Sequence, residues 1–125
     1  MVTADSIRQY IRNNTIELKC TQRVICTPMV DRFCRKMSAG IRFPNINVFE
    51  GYICDGHHRY LASLLSGVAI GINPSRITAA TEIIDWRTLT FHEEDYYPQE
   101  AIDELNRQDA MFNNISIAEI VEILK

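Results

Sequence analysis

Three glycines, Gly51, Gly56 and Gly67, punctuate the middle of the chain at spacings that leave it few ways to fold. After Pro44, residues 46–49 and 52–54 are short β-favouring runs separated by Glu50-Gly51, a two-residue turn with its glycine in second place. That spacing predicts a hairpin. Asp55-Gly56 ends the second run, and from His57 to Ser66 the residues Leu61, Leu64 and Leu65 fall at helical spacing before Gly67. A strand is therefore expected to aim its end at a helix N-terminus, with His57 and His58 in the first turn.

Weaker signals flank this segment. Residues 5–13 place Ile7, Tyr10 and Ile11 on one helical face behind the capping candidates Thr3 and Asp5. Residues 15–20 alternate apolar and polar side chains and predict a strand with Glu17 and Lys19 on one face. Thr27-Pro28 joins an N-cap to a first-turn proline, and Val30, Phe33, Cys34 and Met37 form an apolar stripe that Gly40 closes. Residues 68–72 predict a short buried strand, Asn73-Pro74 a helical turn or loop, and residues 77–84 are open between helix and strand. Residues 86–91 look extended. Pro98 opens a helix through Ile102, Leu105 and Met111, and Ser116 with Glu119 forms a capping box for a last helix over 117–124. A hairpin with interspersed helices and no repeat or linker indicates one small α/β or α+β domain, which is all that 125 residues accommodate.

Composition narrows the class. Hydrophobic residues make up 46% and charged residues 23%, the mixture of a soluble globular chain, and no apolar run approaches the roughly 18 residues of a transmembrane helix. The N-terminus lacks the basic and apolar blocks of a secretory signal, so a cytoplasmic location without membrane contact is expected. Cys20, Cys26, Cys34 and Cys54 form no Cys-x-x-Cys pair and have no histidine at finger spacing, so they are expected as small buried hydrophobes, not metal ligands. The net charge of −3 argues against DNA as a partner. That total hides an asymmetry: residues 1–65 carry nine Lys/Arg against five acids, and residues 66–125 carry four against eleven.

The chemistry concentrates at Asp55-Gly56-His57-His58-Arg59. A helix N-terminus presents unpaired N–H groups and a partial positive charge, so it accepts phosphate readily. Gly56 lets an anion approach the main chain, Arg59 offers a two-pronged donor, and each imidazole donates one hydrogen bond when neutral or two when protonated. The competing reading has Asp55 capping the helix, Arg59 paired with Asp55, and His57 and His58 solvated or hydrogen-bonded to backbone. A metal site at His57-His58 lacks a third ligand nearby in sequence, and His92-Glu93-Glu94-Asp95 reads as a solvated acidic loop.

Over residues 15–73 the order of helix, extended segment, hairpin and Gly-x-His-Arg element resembles the ParB/sulfiredoxin superfamily. The resemblance implies an α+β fold, a small mixed sheet with surrounding helices, in which Gly56, His57, His58 and Arg59 cradle nucleotide phosphates, with Mg²⁺ and ATP, ADP or CTP. Sulfiredoxins carry a reactive cysteine where His57 stands, and Cys54 is a poor substitute, so sulfinic-acid reduction is not expected. Nothing after residue 73 resembles the helix-turn-helix and dimerisation regions of the chromosome-partitioning members. The serine kinases of the superfamily keep phosphoryl transfer open.

Two functions follow as expectations. In the first, the site binds a nucleotide and hydrolyses it or transfers its phosphoryl group, with Arg59 stabilising charge and His57, Asp55 or Glu17 orienting the attacking group. In the second, the scaffold is a non-enzymatic, antitoxin- or immunity-like module whose acidic stretch from Glu93 to Glu122 covers a basic protein partner. DNA binding or nuclease action is a weaker third.

Overall fold

A computed structural model of the chain describes residues 1–76 and 82–125. The fold is α+β. In chain order its elements are α1 (Ala4–Asn13), β1 (Val24–Cys26), α2 (Thr27–Ser38), β2 (Ile46–Phe49), β3 (Tyr52–Asp55) and α3 (His57–Ser66). There follow β4 (Ile72–Pro74), a 3₁₀ turn (Trp86–Thr88), β5 (Thr90–His92), α4 (Gln99–Asn113) and α5 (Ile117–Ile123). None of the described helices is long and apolar enough to cross a membrane.

The central hairpin forms as the glycine spacing predicts. β2 pairs antiparallel with β3, and Glu50 and Gly51 turn the chain at φ 47° and 84°, the doubly positive geometry that matches strand twist. β4 joins the other edge of β2 in parallel, giving a mixed three-stranded sheet in the order β3-β2-β4, while β1 and β5 form a separate parallel pair. Ile7, Ile25, Val30, Ile46, Ile53 and Leu61 are fully buried, so α1, α2, α3 and both sheets share one hydrophobic core. A smaller cluster of Ile41, Ala110 and Ile120 seats α4 and α5.

A buried ion pair ties the C-terminal helices to this body. Lys36 on α2 is 2% exposed, and its Nζ donates to Asp109 Oδ2 at 2.6 Å and Asn106 Oδ1 at 2.8 Å, both on α4. Arg32 pairs with Asp95, Arg23 pairs with Glu82, and Glu93 Oε1 accepts the Ala4 N–H at 3.0 Å at the start of α1. The charge asymmetry between the halves is thus partly satisfied inside the molecule. Glu93 and Asp95 lie in an exposed loop, as expected, yet each also makes a contact with the first half of the chain. The exposed acids Glu100, Asp103 and Glu104 remain on α4.

Four sequence expectations need correction. Residues 15–20 make no strand: only Lys19 and Cys20 form isolated bridges, to Tyr52 and Ile84, and Glu17 lies in an exposed bend. Around Leu18 the backbone is engaged by side chains, its carbonyl accepting the Trp86 indole N–H and its N–H donating to the Tyr60 hydroxyl, which leaves no continuous ladder. The strand expected at 68–72 lies instead at Ile72–Pro74 and is exposed, because the open edge of β2 sets the register Ile46↔Ile72. Pro74 ends that edge strand, where a missing N–H does little harm. Thr27 is not the N-cap of α2; Cys26 is, and Thr27 Oγ1 is buried without a partner among the described residues. Finally, residues 86–91 begin as a 3₁₀ turn capped by Asp85 before β5 extends. Of the stretch 77–84 left open above, residues 77–81 fall outside the described residues.

Candidate functional site at the start of α3

Gly56 decides how β3 enters α3. It is the N-cap of the helix at φ 103°, and no side chain caps the first turn; Asp55 does not do so. A Cβ on Gly56 would stand 2.9 Å from Ile46 Cβ, nearer still to Ile46 Cγ2, and 3.0 Å from an Arg59 nitrogen. Positive φ and this close approach both demand glycine. Gly56→Ala is expected to destabilise the protein by about 3 kcal/mol in urea unfolding, the combined scale of strain and overpacking. A loss below about 1 kcal/mol would mean that the turn relaxes freely.

Both histidines are held by backbone amides from other parts of the chain. His57 is 4% exposed, and its Nε2 accepts the Thr21 N–H at 3.0 Å; Thr21 Oγ1, 3.2 Å from the same nitrogen, donates to the Ile53 carbonyl at 2.6 Å. His58 Nε2 accepts the Cys26 N–H at 3.0 Å. A backbone N–H only donates, so each Nε2 must carry a lone pair, and the proton of each neutral ring sits on Nδ1. Burial pushes His57 down to about 4, with the Asp55 charge opposing. Burial first, then His57 and Arg32, take His58 to about 4 as well. The two rings are therefore neutral at pH 7 and present Nδ1–H donors, not the doubly donating imidazoliums that sequence alone allowed.

Arg59 is positioned by its own neighbours. Its guanidinium donates to the Pro44 carbonyl at 3.0 Å and to Asp55 Oδ2 at 3.3 Å, an i,i+4 pair in which Asp55 is largely exposed. Of the competing reading, the pairing of Arg59 with Asp55 and the bonding of both histidines to backbone are thus present, whereas the Asp55 cap is not; each terminal nitrogen of the Arg59 guanidinium makes one hydrogen bond. Among the described residues the other three guanidinium N–H groups have no partner.

Asp55, Gly56, His57, His58 and Arg59 all line one open hollow of about 310 Å³, closed on other sides by Gln22, Met29 and Phe33 and by Tyr97 and Leu105 from the C-terminal part. Glu17 is not among its lining residues. Arg32 stands beside His58, close enough to lower its basicity, yet its charge is taken by Asp95, whose Oδ1 also accepts the Tyr97 N–H at 3.0 Å. A hollow of similar size, about 360 Å³, lies between Met37, Phe43, Ile70 and Phe112, but Arg42 is its only charged lining residue.

Sequence reasoning missed Thr21, the Cys26 amide, Tyr97 and Leu105. All four act through contacts more than 30 residues away in the chain, and none carries a local motif. The thiols offer no alternative chemistry here: burial raises Cys20 to about 11 and raises Cys26 and Cys34, and Cys54 is on β3 outside the hollow's lining. The four cysteines are free, though Cys34 and Cys54 are only half-buried. Among the described residues no group of three or more His, Cys, Asp or Glu side chains is placed to hold a metal ion. No protein-family model, curated protein or solved structure matches the chain.

Proposed function

We propose that the hollow at the start of α3 binds the phosphate groups of a nucleotide. One observation carries this reading: two neutral imidazoles, fixed through Nε2 by main-chain donors, stand with Arg59 at the uncapped N-terminus of a ten-residue helix, around one open hollow. Neither Nδ1 has a protein partner among the described residues, and the helix adds its first-turn amides and partial positive charge. Neutral rings donate without the repulsion that imidazolium would suffer beside that helix end. The volume is at the low end for small-molecule sites, which suits phosphate groups with the rest of the ligand lying outside.

Turnover, if the site supports it, falls to Asp55, the carboxylate lining the hollow. His57 is a donor in this arrangement, since its remaining lone pair is occupied by Thr21, and Glu17 is elsewhere. Asp55 is the group that can orient an attacking water or hydroxyl, while Arg59 meets charge on the phosphoryl oxygens. A Mg²⁺ ion accompanying the phosphates fits one carboxylate, because that ion keeps several waters and takes much of its shell from phosphate oxygens.

Calorimetric titration of ATP, ADP and CTP with Mg²⁺ into wild type and Arg59→Ala tests the reading. The wild type is expected to bind one of them, and Arg59→Ala to bind it about tenfold or more weakly, the scale of a lost charge-assisted hydrogen bond. Absent heats in the wild type, or equal heats in the two proteins, would remove it.

A further inference from the structure

A second cluster of guanidinium groups lies away from the α3 hollow. Arg8 and Arg12 stand one turn apart on α1, and Arg87 on the 3₁₀ turn lines the same hollow. With Ile11 and Trp86 they line a hollow of about 340 Å³ that shares no lining residue with the first and includes no acidic side chain. Ile11 and Trp86 are buried and form an apolar floor. Trp86 is held there by its indole N–H, which donates to the Leu18 carbonyl at 2.9 Å.

The charges in this hollow are poorly matched by the protein itself. Arg8 lies over the Phe91 ring, its Cζ 5.2 Å from the centroid, and among the described residues pairs only with Asp5, at 3.3 Å, whose side chain is 96% exposed. Arg12 and Arg87 have no ion-pair partner among the described residues. Like charges at i,i+4 repel, and Arg87 adds a third.

We propose that this hollow is a binding site for a small organic phosphate, with the phosphoryl group held by Arg8, Arg12 and Arg87 and the apolar part of the ligand against Ile11 and Trp86. Guanidinium forks match phosphate oxygens two at a time, and an apolar floor favours an ester over the bare ion. The site is independent of the one on α3.

Trp86 is the sole tryptophan of the chain, so its fluorescence reports on this hollow directly. Its ring also lies 6.4 Å from His57, so a variant of each site is needed to tell the two apart. Phenyl phosphate and inorganic phosphate are titrated into wild type, Arg12→Gln/Arg87→Gln and Arg59→Ala, with sodium chloride at matched ionic strength as control. The expected result is a saturable change with phenyl phosphate at concentrations below those needed for inorganic phosphate. It should weaken about tenfold or more in the double variant and persist in Arg59→Ala. No saturable change, no preference for the ester, an equal response in the double variant, a response reproduced by salt, or loss in Arg59→Ala would each overturn the proposal. Failure of the nucleotide reading shows in the calorimetry of wild type and Arg59→Ala, not in this fluorescence titration, so the two can fail separately.

Discussion

Lys36→Met is expected to destabilise the protein by about 3–5 kcal/mol, and Asp109→Leu by a similar amount, because each leaves a buried polar or charged partner without its counterpart. Lys36 Nζ serves Asp109 and Asn106 together in a region closed to water, and burial already pulls the lysine's pKa down against the pull of Asp109. Removing both partners is different. The Lys36→Met/Asp109→Leu protein is expected to recover part of the loss, since a hydrophobic pair of similar volume needs no desolvation of charge, the remainder reflecting Asn106 Oδ1 left without its donor. Urea unfolding of the four proteins measures this as a double-mutant cycle. Simple addition of the two single losses would contradict the described pairing. The effect reaches the candidate site, because Tyr97 and Leu105 complete the wall of the α3 hollow and the segment bearing them is fastened through Lys36.

Acid is expected to unfold the protein well before its carboxylates are fully protonated. His57 and His58 titrate near 4 in the folded state and near 6.5 when unfolded, so between those values the unfolded chain binds more protons. Stability therefore rises with pH across this window. The contribution is complete above pH 6.5 and is lost as pH falls toward 4. Each ring accounts for roughly 3 kcal/mol, enough in combination to rival the whole stability of a small protein. Thermal or urea unfolding from pH 7 down to pH 4 gives the test. A flat stability profile between pH 6.5 and 4.5 would show that the rings are neither buried nor bound to the Thr21 and Cys26 amides.

The hairpin and α3 were legible because their determinants are local. Gly51, Gly56 and Gly67 fix turn and helix ends within a few residues of themselves, and His57–Ser66 forms the helix that the leucine spacing predicts. The capping box of α5, Ser116 with Glu119, was readable for the same reason. Residues 15–20 were not, because alternation alone cannot show that Tyr60 and Trp86 engage the main chain at Leu18. The position of β4 depends on the edge of β2, 26 residues earlier in the register Ile46↔Ile72, and parallel pairing leaves no turn signal between them.

At the site, sequence supplied the residue types and the structure supplied their state. Gly56, His57, His58 and Arg59 do meet around one hollow with Asp55, whereas Glu17 was tied to a strand that does not form. The charge of the imidazoles was beyond sequence, since it follows first from their burial, and their tautomer from amides at Thr21 and Cys26, more than 30 residues away in the chain. Of the acidic second half, Glu82, Asp95 and Asp109 pair with Arg23, Arg32 and Lys36 of the first half. Internal pairing of that kind is invisible to a count of charges.

Long-range ¹⁵N–¹H NMR of the imidazole rings at pH 7, recorded before and during addition of the tightest-binding nucleotide with Mg²⁺, is the most direct test of the phosphate cradle. The expected spectrum has both His57 and His58 protonated at Nδ1, with the Nδ1 signals and the amides of residues 57–59 moving together as ligand is added. Protonation at Nε2 in either ring, or saturation of the protein without movement of those signals, would contradict it.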